Sequence, residues 1–495
     1  MRENAFSRTF KKGIRMRQCV NAPAKSSLFF MASNLISKGA ALIFTPFFTR
    51  LLTPTQYGTY SLFLSYLSVL TVIGTLELGG SVIIRAFQKY QDMKYSLILL
   101  GAGLSTIVSI VATVAFYLIK LNTGGAELFP GAYVFLLVSL VCTAVINLFS
   151  ARARFLYKPC LSFILTLLQS ILVPVLSISL ISFEAIGRFD HVAVKIGTSV
   201  VVSSVIAISI LCYAIPHAIS ELRNFSGNKK EFLKGSLSLL LKLALPLLPY
   251  YFSVMAIGQI DKIFISNSLG NAELGKYSVA YSAGIAATAI TGGLTSALSP
   301  WVMRKSRAGS YDSIRETLGK AVFILCALIL CFLSVAPELI TVLAPGEYLS
   351  YTEVMFVIAL APIPLLLTQL MSSIACASER TKGNAFCGFA AAITSLLLSF
   401  IIIPRFGAVF AAYINLLSYT VLATLQIVNV RAITGHASVD VNKTLRAFLL
   451  TLTVSLALFT FREFMGIRIF IGLISFLIFL YMLKGAKPLL KENRN

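Results

Sequence analysis

A few charged side chains of this sequence lie within or at the ends of long apolar stretches. Lys38 and Glu77 belong to the first two stretches, and Asp261 and Lys262 follow the seventh. A charge at the centre of a bilayer costs about 2.5–3.5 kcal/mol on insertion scales unless it meets water or a partner. Such residues bind ions, contact charged ligands or form structural ion pairs, and none of these roles needs covalent chemistry.

The composition predicts an all-α polytopic membrane protein. The 495 residues are 57% hydrophobic and 12% charged, with a mean hydropathy of +0.85. Soluble domains carry about 25% charged residues, and one bilayer-spanning helix needs about 20 apolar residues. About fourteen apolar stretches occupy nearly the whole chain, at 26–48, 59–80, 96–119, 131–149, 160–182, 192–215, 237–260, 276–299, 319–343, 352–376, 384–403, 407–430, 444–461 and 466–483.

The distribution of basic residues predicts the orientation. Of the 42 Lys and Arg residues, 31 fall on the N-terminal tail, the even-numbered loops and the C-terminal tail, and nine on the odd-numbered loops. Because cytosolic loops are enriched in Lys and Arg, both termini are expected in the cytosol. The same bias explains the net charge of +23, so we expect no nucleic-acid partner.

A short pattern occurs twice, each time after a span that leads outward. Leu, Gly, Tyr and Ser at positions 52, 58, 60 and 61 return at 269, 275, 277 and 278, a constant offset of 217 residues. Transporters are often built from two repeated halves with a site between them. An offset of about six spans predicts parallel halves related by an axis along the membrane normal.

Several short motifs occur along the chain: PFFTRLLTPTQYG at 46–58, ELG at 77–79 with Arg85, LP at 245–246, DK at 261–262, LG at 269–270 with Gly275 and Tyr277, SPW at 299–301, ERT at 379–381 and PRFG at 404–407. Together they resemble the motifs of bacterial oligosaccharide flippases of the Wzx type, in the multidrug/oligosaccharidyl-lipid/polysaccharide exporter superfamily. Lys262 departs from the family pattern, in which Arg is commoner, and an ammonium lacks the bidentate fork of a guanidinium.

The resemblance implies two six-helix lobes around a central cavity. We therefore expect a basic tail at 1–25, an N-lobe at 26–220, a C-lobe at 221–436, and two further spans with a cytosolic tail at 437–495. It also implies an undecaprenyl-diphosphate-linked oligosaccharide substrate, an O-antigen, capsule or exopolysaccharide repeat unit, that crosses the bacterial inner membrane. Other expected partners are membrane lipids, H⁺ or Na⁺ as the coupling ion, and polymerase and chain-length proteins.

The candidate substrate residues are cations and a nearby amide. Lys38 lies about twelve residues into the first span, near the midplane, and Asn34 is one turn before it on the same face. Both are candidates for a cavity that binds the diphosphate; the alternative for Lys38 is a structural pair with Glu77. Lys262, Arg50 and Arg405 complete the set, although the last two also suit simple helix ends at loops.

Coupling or gating is assigned to Glu77, Asp261 and Arg85. Buried carboxylates can titrate, but Glu77 suits a structural ion pair equally well, and Arg85 suits snorkelling at the interface. Because residues adjacent on a helix point about 100° apart, Asp261 and Lys262 are expected to find partners on other helices, as a gate or as a static brace.

Two other functions remain open from the sequence. A multidrug exporter of the same superfamily would need acidic cavity residues for cationic drugs, and the spans hold more cations than acids. A polysaccharide polymerase or ligase would need a larger outer loop than the dozen residues available. No G-x-x-x-x-G-K-[ST] loop occurs. We therefore expect a transporter rather than an enzyme, without a metal or cofactor.

Overall fold

The computed structural model describes residues 36–123, 128–156, 159–183, 190–225, 227–378, 380 and 382–492, and these ranges contain helices and no strand. The first helix, α1, covers residues 36–51. The next helices are α2 Pro54–Thr75, α3 Ile83–Lys89, α4 Lys94–Thr123, α5 Ala132–Phe155, α6 Pro159–Leu167, α7 Val173–Ser182, α8 His191–Asn224, α9 Lys229–Ala244, α10 Leu248–Ile257 and α11 Ile260–Leu269. They are followed by α12 Asn271–Ile285, α13 Thr288–Arg307, α14 Tyr311–Ser334, α15 Ala336–Leu343, α16 Thr352–Ile358, α17 Pro362–Ala377, α18 Lys382–Phe406, α19 Val409–Thr434, α20 Val441–Thr460 and α21 Met465–Glu492.

The predicted all-α membrane fold is confirmed, but the count of fourteen spans is not. Ten described helices are long and apolar enough to cross a membrane, or twelve if two bent pairs are each one span. These pairs are α9 with α10, bent by 45°, and α16 with α17, bent by 41°. The predicted first span lies partly outside the described residues. The predicted eighth span is divided between α12, of 15 residues, and α13, of 20 residues, and neither is among the ten helices that are long and apolar enough to cross a membrane.

Buried side chains form two large apolar clusters. The first lies among α3, α4, α5, α8 and α9 and includes Phe87, Leu97 and Leu148. The second is built mainly by α12, α14, α16, α17 and α19 and includes Tyr277 and Leu325. The helix α9 packs into the first cluster, although the predicted boundary at residue 220 assigns α9 to the C-lobe. The lobe boundaries stay a prediction.

The starts of α2 and α12 are fixed by local geometry. Thr53 and Gln56 form a capping box at the start of α2, in which each side chain satisfies the other's backbone amide. Pro54 occupies the first turn, where a missing amide hydrogen costs nothing. Gly270 has φ of +93°, so the chain turns sharply from α11 into α12 at a residue without a side chain.

Candidate functional site: a cavity lined by two lysines

A cavity of about 590 Å³ lies among α1, α2, the α6–α7 region, α8 and the junction of α12 with α13. Its described lining contains two charged side chains, Lys38 and Lys195, and no Asp or Glu. Neutral hydrogen-bonding groups such as Gln169 and Ser199 also line it. The cavity can therefore attract an anion and offer polar contacts to uncharged groups.

Lys38 lies on α1 and is exposed to the cavity. Its Nζ donates a hydrogen bond of 2.5 Å to the Thr288 hydroxyl at the start of α13. Among the described residues Lys38 and Glu77 form no ion pair, and Glu77 interacts electrostatically with Arg154. Asn34, the predicted neighbour of Lys38, lies outside the described residues.

Lys195 is the second cation of the cavity and is only 5% exposed. Its Nζ lies 3.5 Å from the ring centroid of Phe48, 3.6 Å from that of Tyr60 and 5.2 Å from that of Tyr57. Within the described residues it forms no ion pair or hydrogen bond. The three rings, which we call the aromatic box, therefore compensate for its burial through cation–π contacts.

Sequence reasoning missed Lys195. The count of loop cations above places it with the odd-numbered loops, whereas the structure buries it on the fifth residue of α8. The available signal was its position inside the apolar stretch 192–215, where a cation needs the same explanation as Lys38. The aromatic partners come from α1 and α2, so no local pattern around Lys195 could reveal them.

The helices α2 and α12 cross at Gly58 and Gly275. A Cβ atom on Gly58 would lie 1.7 Å from the carbonyl oxygen of Asn271, and one on Gly275 would lie 1.9 Å from that of Pro54. Only glycine allows the two backbones to approach so closely. We call this contact the glycine crossing, and it joins the equivalent positions of the sequence repeat.

Hydrogen bonds surround the glycine crossing. Asn271 Nδ2 donates to Thr59 Oγ1 at 3.1 Å, directly between α12 and α2. The Tyr348 hydroxyl donates to the Leu52 carbonyl at 2.9 Å, and the Thr49 hydroxyl donates to the Leu343 carbonyl at 2.7 Å. The end of the cavity next to Tyr57 is therefore closed by packed backbone and by satisfied polar groups.

Asp261 and Lys262 have different tertiary contacts, both with α12, and also interact with each other: the Lys262 amide donates to Asp261 Oδ1 at 2.8 Å, and their charges attract. Asp261 is 1% exposed and accepts a hydrogen bond of 2.7 Å from the Tyr277 hydroxyl on α12. Lys262 donates to Gln259 Oε1 at 3.2 Å, and its Nζ lies 4.1 Å from the ring centroid of Tyr281. Neither residue is part of the cavity lining.

The other predicted site residues lie away from the cavity. Arg50 is exposed and donates to the carbonyls of Pro46 and Val342, which makes it a contact at a helix end. Arg405 and Arg85 are exposed on α18 and α3. Of the four predicted cavity residues that the structure describes, namely Lys38, Arg50, Lys262 and Arg405, only Lys38 lines it.

Glu77 occupies a break between helices. It has φ of +47°, just before a π-helical segment that leads into α3. Arg154 of α5, which acts on Glu77 electrostatically, also donates to the Gly79 carbonyl at 2.6 Å. The geometry fits a structural role for Glu77, in which its electrostatic attraction to Arg154 and the hydrogen bond of Arg154 to Gly79 hold the broken helix against α5.

Residues 24–306 match the family model described as "Polysaccharide biosynthesis protein". The chain belongs to this family. A search of curated proteins found no match. Among solved structures, the lipid II flippase MurJ in an inward closed conformation matches with a TM-score of 0.63 and 16% identity, over 94% of this chain and 99% of that one.

Two further solved structures are transporters of the MOP superfamily. An inward-facing multidrug resistance MATE family transporter matches with a TM-score of 0.56 and 13% identity, over 83% of this chain and 94% of that one. A superfamily transporter from Pyrococcus furiosus, whose title reports a binding pocket of reversed polarity, matches with a TM-score of 0.56 and 14% identity, over 83% and 96%. At these identities the likeness establishes the fold.

The family match and the apolar helices make this chain a multi-pass membrane protein of the polysaccharide biosynthesis family, and its fold is similar to that of these flippase and transporter structures. The resemblance found in the sequence is thereby confirmed at the level of the family. In this structure the cavity among α1, α2, α8 and the α12–α13 junction is lined by the two cations Lys38 and Lys195.

Proposed function

We propose that this protein flips an undecaprenyl-diphosphate-linked oligosaccharide, such as an O-antigen or capsule repeat unit, from the cytosolic to the periplasmic leaflet of the bacterial inner membrane. The observation that carries the proposal is the cavity with two lysines and no described acidic side chain. A diphosphate brings negative charge that hydrocarbon cannot accommodate, and a hydrated cationic cavity removes that barrier. The polyprenyl tail stays in the lipid.

The rest of the cavity suits the sugar part of such a substrate. Ser37, Gln169 and Ser199 offer hydroxyl and amide groups that exchange hydrogen bonds with sugar hydroxyls. In the predicted topology the glycine crossing lies at the periplasmic end. The described conformation is then closed toward the periplasm, and flipping requires this crossing to open.

The proposal assigns ion coupling to Asp261 rather than to Glu77. Asp261 is fully buried, accepts a hydrogen bond from Tyr277 and is attracted to Lys262, so gain or loss of an H⁺ or Na⁺ would change the charge of a buried group. Glu77 lies at a helix break, where its attraction to Arg154 suits a structural role. Replacement of Asp261 by Asn should remove the dependence of transport on an ion gradient, and unchanged dependence would exclude Asp261 from coupling.

The flippase proposal is tested with purified protein in liposomes that contain a fluorescent undecaprenyl-diphosphate oligosaccharide. Quenching of the outer leaflet measures exchange. Lys38→Gln and Lys195→Gln should each slow exchange severely, whereas the matched control Arg405→Gln, which removes an exposed cation outside the cavity, should not. Equal rates in all four proteins would overturn the proposal, and growth of the glycan would indicate a polymerase.

A further inference from the structure

We infer that Lys195 links the presence of an anion in the cavity to the opening of the glycine crossing, by leaving the aromatic box for the anion. The inference rests on the proposed function only for the nature of the anion. It assigns to Lys195 the role of a positioning residue that acts on α2, in addition to any contact with the substrate.

The first support is the position of the aromatic box. Tyr57 and Tyr60, which contact Lys195, flank Gly58 on α2, and Phe48 comes from α1. The ammonium group of one helix, α8, thus holds two helices that lead to the crossing. Withdrawal of Lys195 would leave the three rings without the charge around which they pack.

The second support is that Tyr57 also contacts the opposite side of the crossing. Its ring packs edge-on against Tyr348, with centroids 6.2 Å apart and an interplanar angle of 81°. Its hydroxyl also interacts electrostatically with the side chains of Thr45 on α1 and Ser282 on α12. A movement of Tyr57 that follows the loss of Lys195 would therefore disturb contacts between α2 and the helices across the crossing.

The third support is a difference between the two repeats. Tyr60 and Tyr277 are equivalent positions, and each holds its helix against a buried charge. Tyr60 meets the cation Lys195, whereas Tyr277 donates to the carboxylate of Asp261. An anion in the cavity attracts Lys195 and repels Asp261. It can therefore release α2 from its buried charge while α12 keeps its contact with Asp261.

The energetic reason for the transfer lies in the partners available to an ammonium group. Lys195 has rings but no anionic partner among the described residues. A phosphate oxygen would give it a charge-assisted hydrogen bond, which is stronger than a contact with a ring face. A neutral sugar offers no comparable partner, so the response is specific for the diphosphate end of the substrate.

The test measures closure of the crossing directly. Cysteines replace Thr59 and Asn271, whose side chains touch across it, in a protein whose eight native cysteines have been replaced. The protein is placed in nanodiscs and treated with a short bifunctional thiol reagent, with and without inorganic pyrophosphate as the probe anion. Binding of pyrophosphate is measured on the same samples. We expect saturating pyrophosphate to lower the cross-link yield several-fold.

The matched variants are Lys195→Gln and Lys38→Gln, which remove the two cavity cations separately. Lys38→Gln should weaken pyrophosphate binding but keep the full response at saturation. Lys195→Gln should still bind pyrophosphate, but its cross-link yield should be the same with and without pyrophosphate. An unchanged response in Lys195→Gln, or a response lost equally in both variants, would contradict the inference.

A second variant guards against misfolding of Lys195→Gln. Tyr60→Leu keeps both lysines and removes one ring of the box, so its cross-link yield should be low even without pyrophosphate. A yield and a response equal to those of the parent protein would overturn the inference. If the parent protein binds pyrophosphate and its cross-link yield does not change, the inference on Lys195 is overturned and the proposed function stands. If the parent protein does not bind pyrophosphate, the proposed function is contradicted as well.

Discussion

Gly58 and Gly275 lie against each other where α2 and α12 cross, and neither position has room for a side chain. A Cβ on either glycine would come within 3.0 Å of the backbone nitrogen of the other and still closer to a carbonyl oxygen. Backbone atoms cannot rotate away as a side chain can. The closed end of the cavity therefore depends on the absence of two methyl groups.

Gly58→Ala and Gly275→Ala should each destabilise the closed crossing. Overpacking of a tight contact costs about 1–3 kcal/mol, and here separation of the helices relieves it. The cross-link yield between cysteines at positions 59 and 271 should fall in both variants. Gly319→Ala on α14 is the control, since a Cβ there meets nothing within 4 Å. Equal yields in all three variants would show that the crossing tolerates a side chain.

The repeat that led to this contact was visible in the sequence, but its meaning was not. Positions 58 and 275 share residue types and a constant offset, which predicted related halves. Periodicity cannot show that two equivalent positions touch, because contact depends on how the halves are placed around their common axis. The broken spans were equally hidden, since apolar length alone does not distinguish one straight helix from α12 followed by α13.

Tyr277→Phe should destabilise the protein by leaving the buried carboxylate of Asp261 without its hydroxyl donor. Loss of one partner of a buried polar group costs about 1–3 kcal/mol. The melting temperature in detergent should therefore fall. Addition of Asp261→Asn to Tyr277→Phe should recover part of the loss, because a neutral amide is less costly to bury. Additive losses in this double-mutant cycle would mean that the two residues do not depend on each other.

Glu338→Gln should weaken the attachment of the last helix. Arg468 of α21 donates to both carboxylate oxygens of Glu338, in the short α15 beyond the α14 span, at 2.7 and 2.6 Å. These hydrogen bonds from Arg468 hold the pKa of Glu338 below its usual range. A lowered pKa stabilises the fold above the unfolded value of about 4.3, and the benefit is lost as the pH falls through the folded value.

Thermal melting at pH 7 and at about pH 4 checks this prediction. Glu338→Gln should be less stable than the parent protein at neutral pH, and the difference should shrink on acidification. Glu316→Gln is the control, because Glu316 is exposed on α14 and its ion pair is with Lys320, one turn away on the same helix. If the difference in melting temperature does not depend on pH, or if Glu316→Gln loses as much stability, the charge of Glu338 does not stabilise the fold.

The candidate site was predictable only in part. Lys38 was found because a lysine in the middle of an apolar stretch is conspicuous, and the structure places it in the cavity. Lys195 was missed because it lies close to the start of its helix, where a cation resembles a loop residue. Arg50 and Arg405 lie at helix ends, and their sequence context does not show which direction their side chains take.

The account depends most on the charge of the cavity, which a comparison of two substrates tests directly. Leaflet exchange in proteoliposomes is measured for one oligosaccharide attached to a polyprenyl diphosphate and for the same oligosaccharide on an uncharged polyprenyl lipid. The account predicts rapid exchange of the diphosphate lipid, little exchange of the neutral lipid, and loss of this preference when Lys38 and Lys195 are both replaced by Gln. Equal exchange of both lipids by the unmodified protein would contradict it.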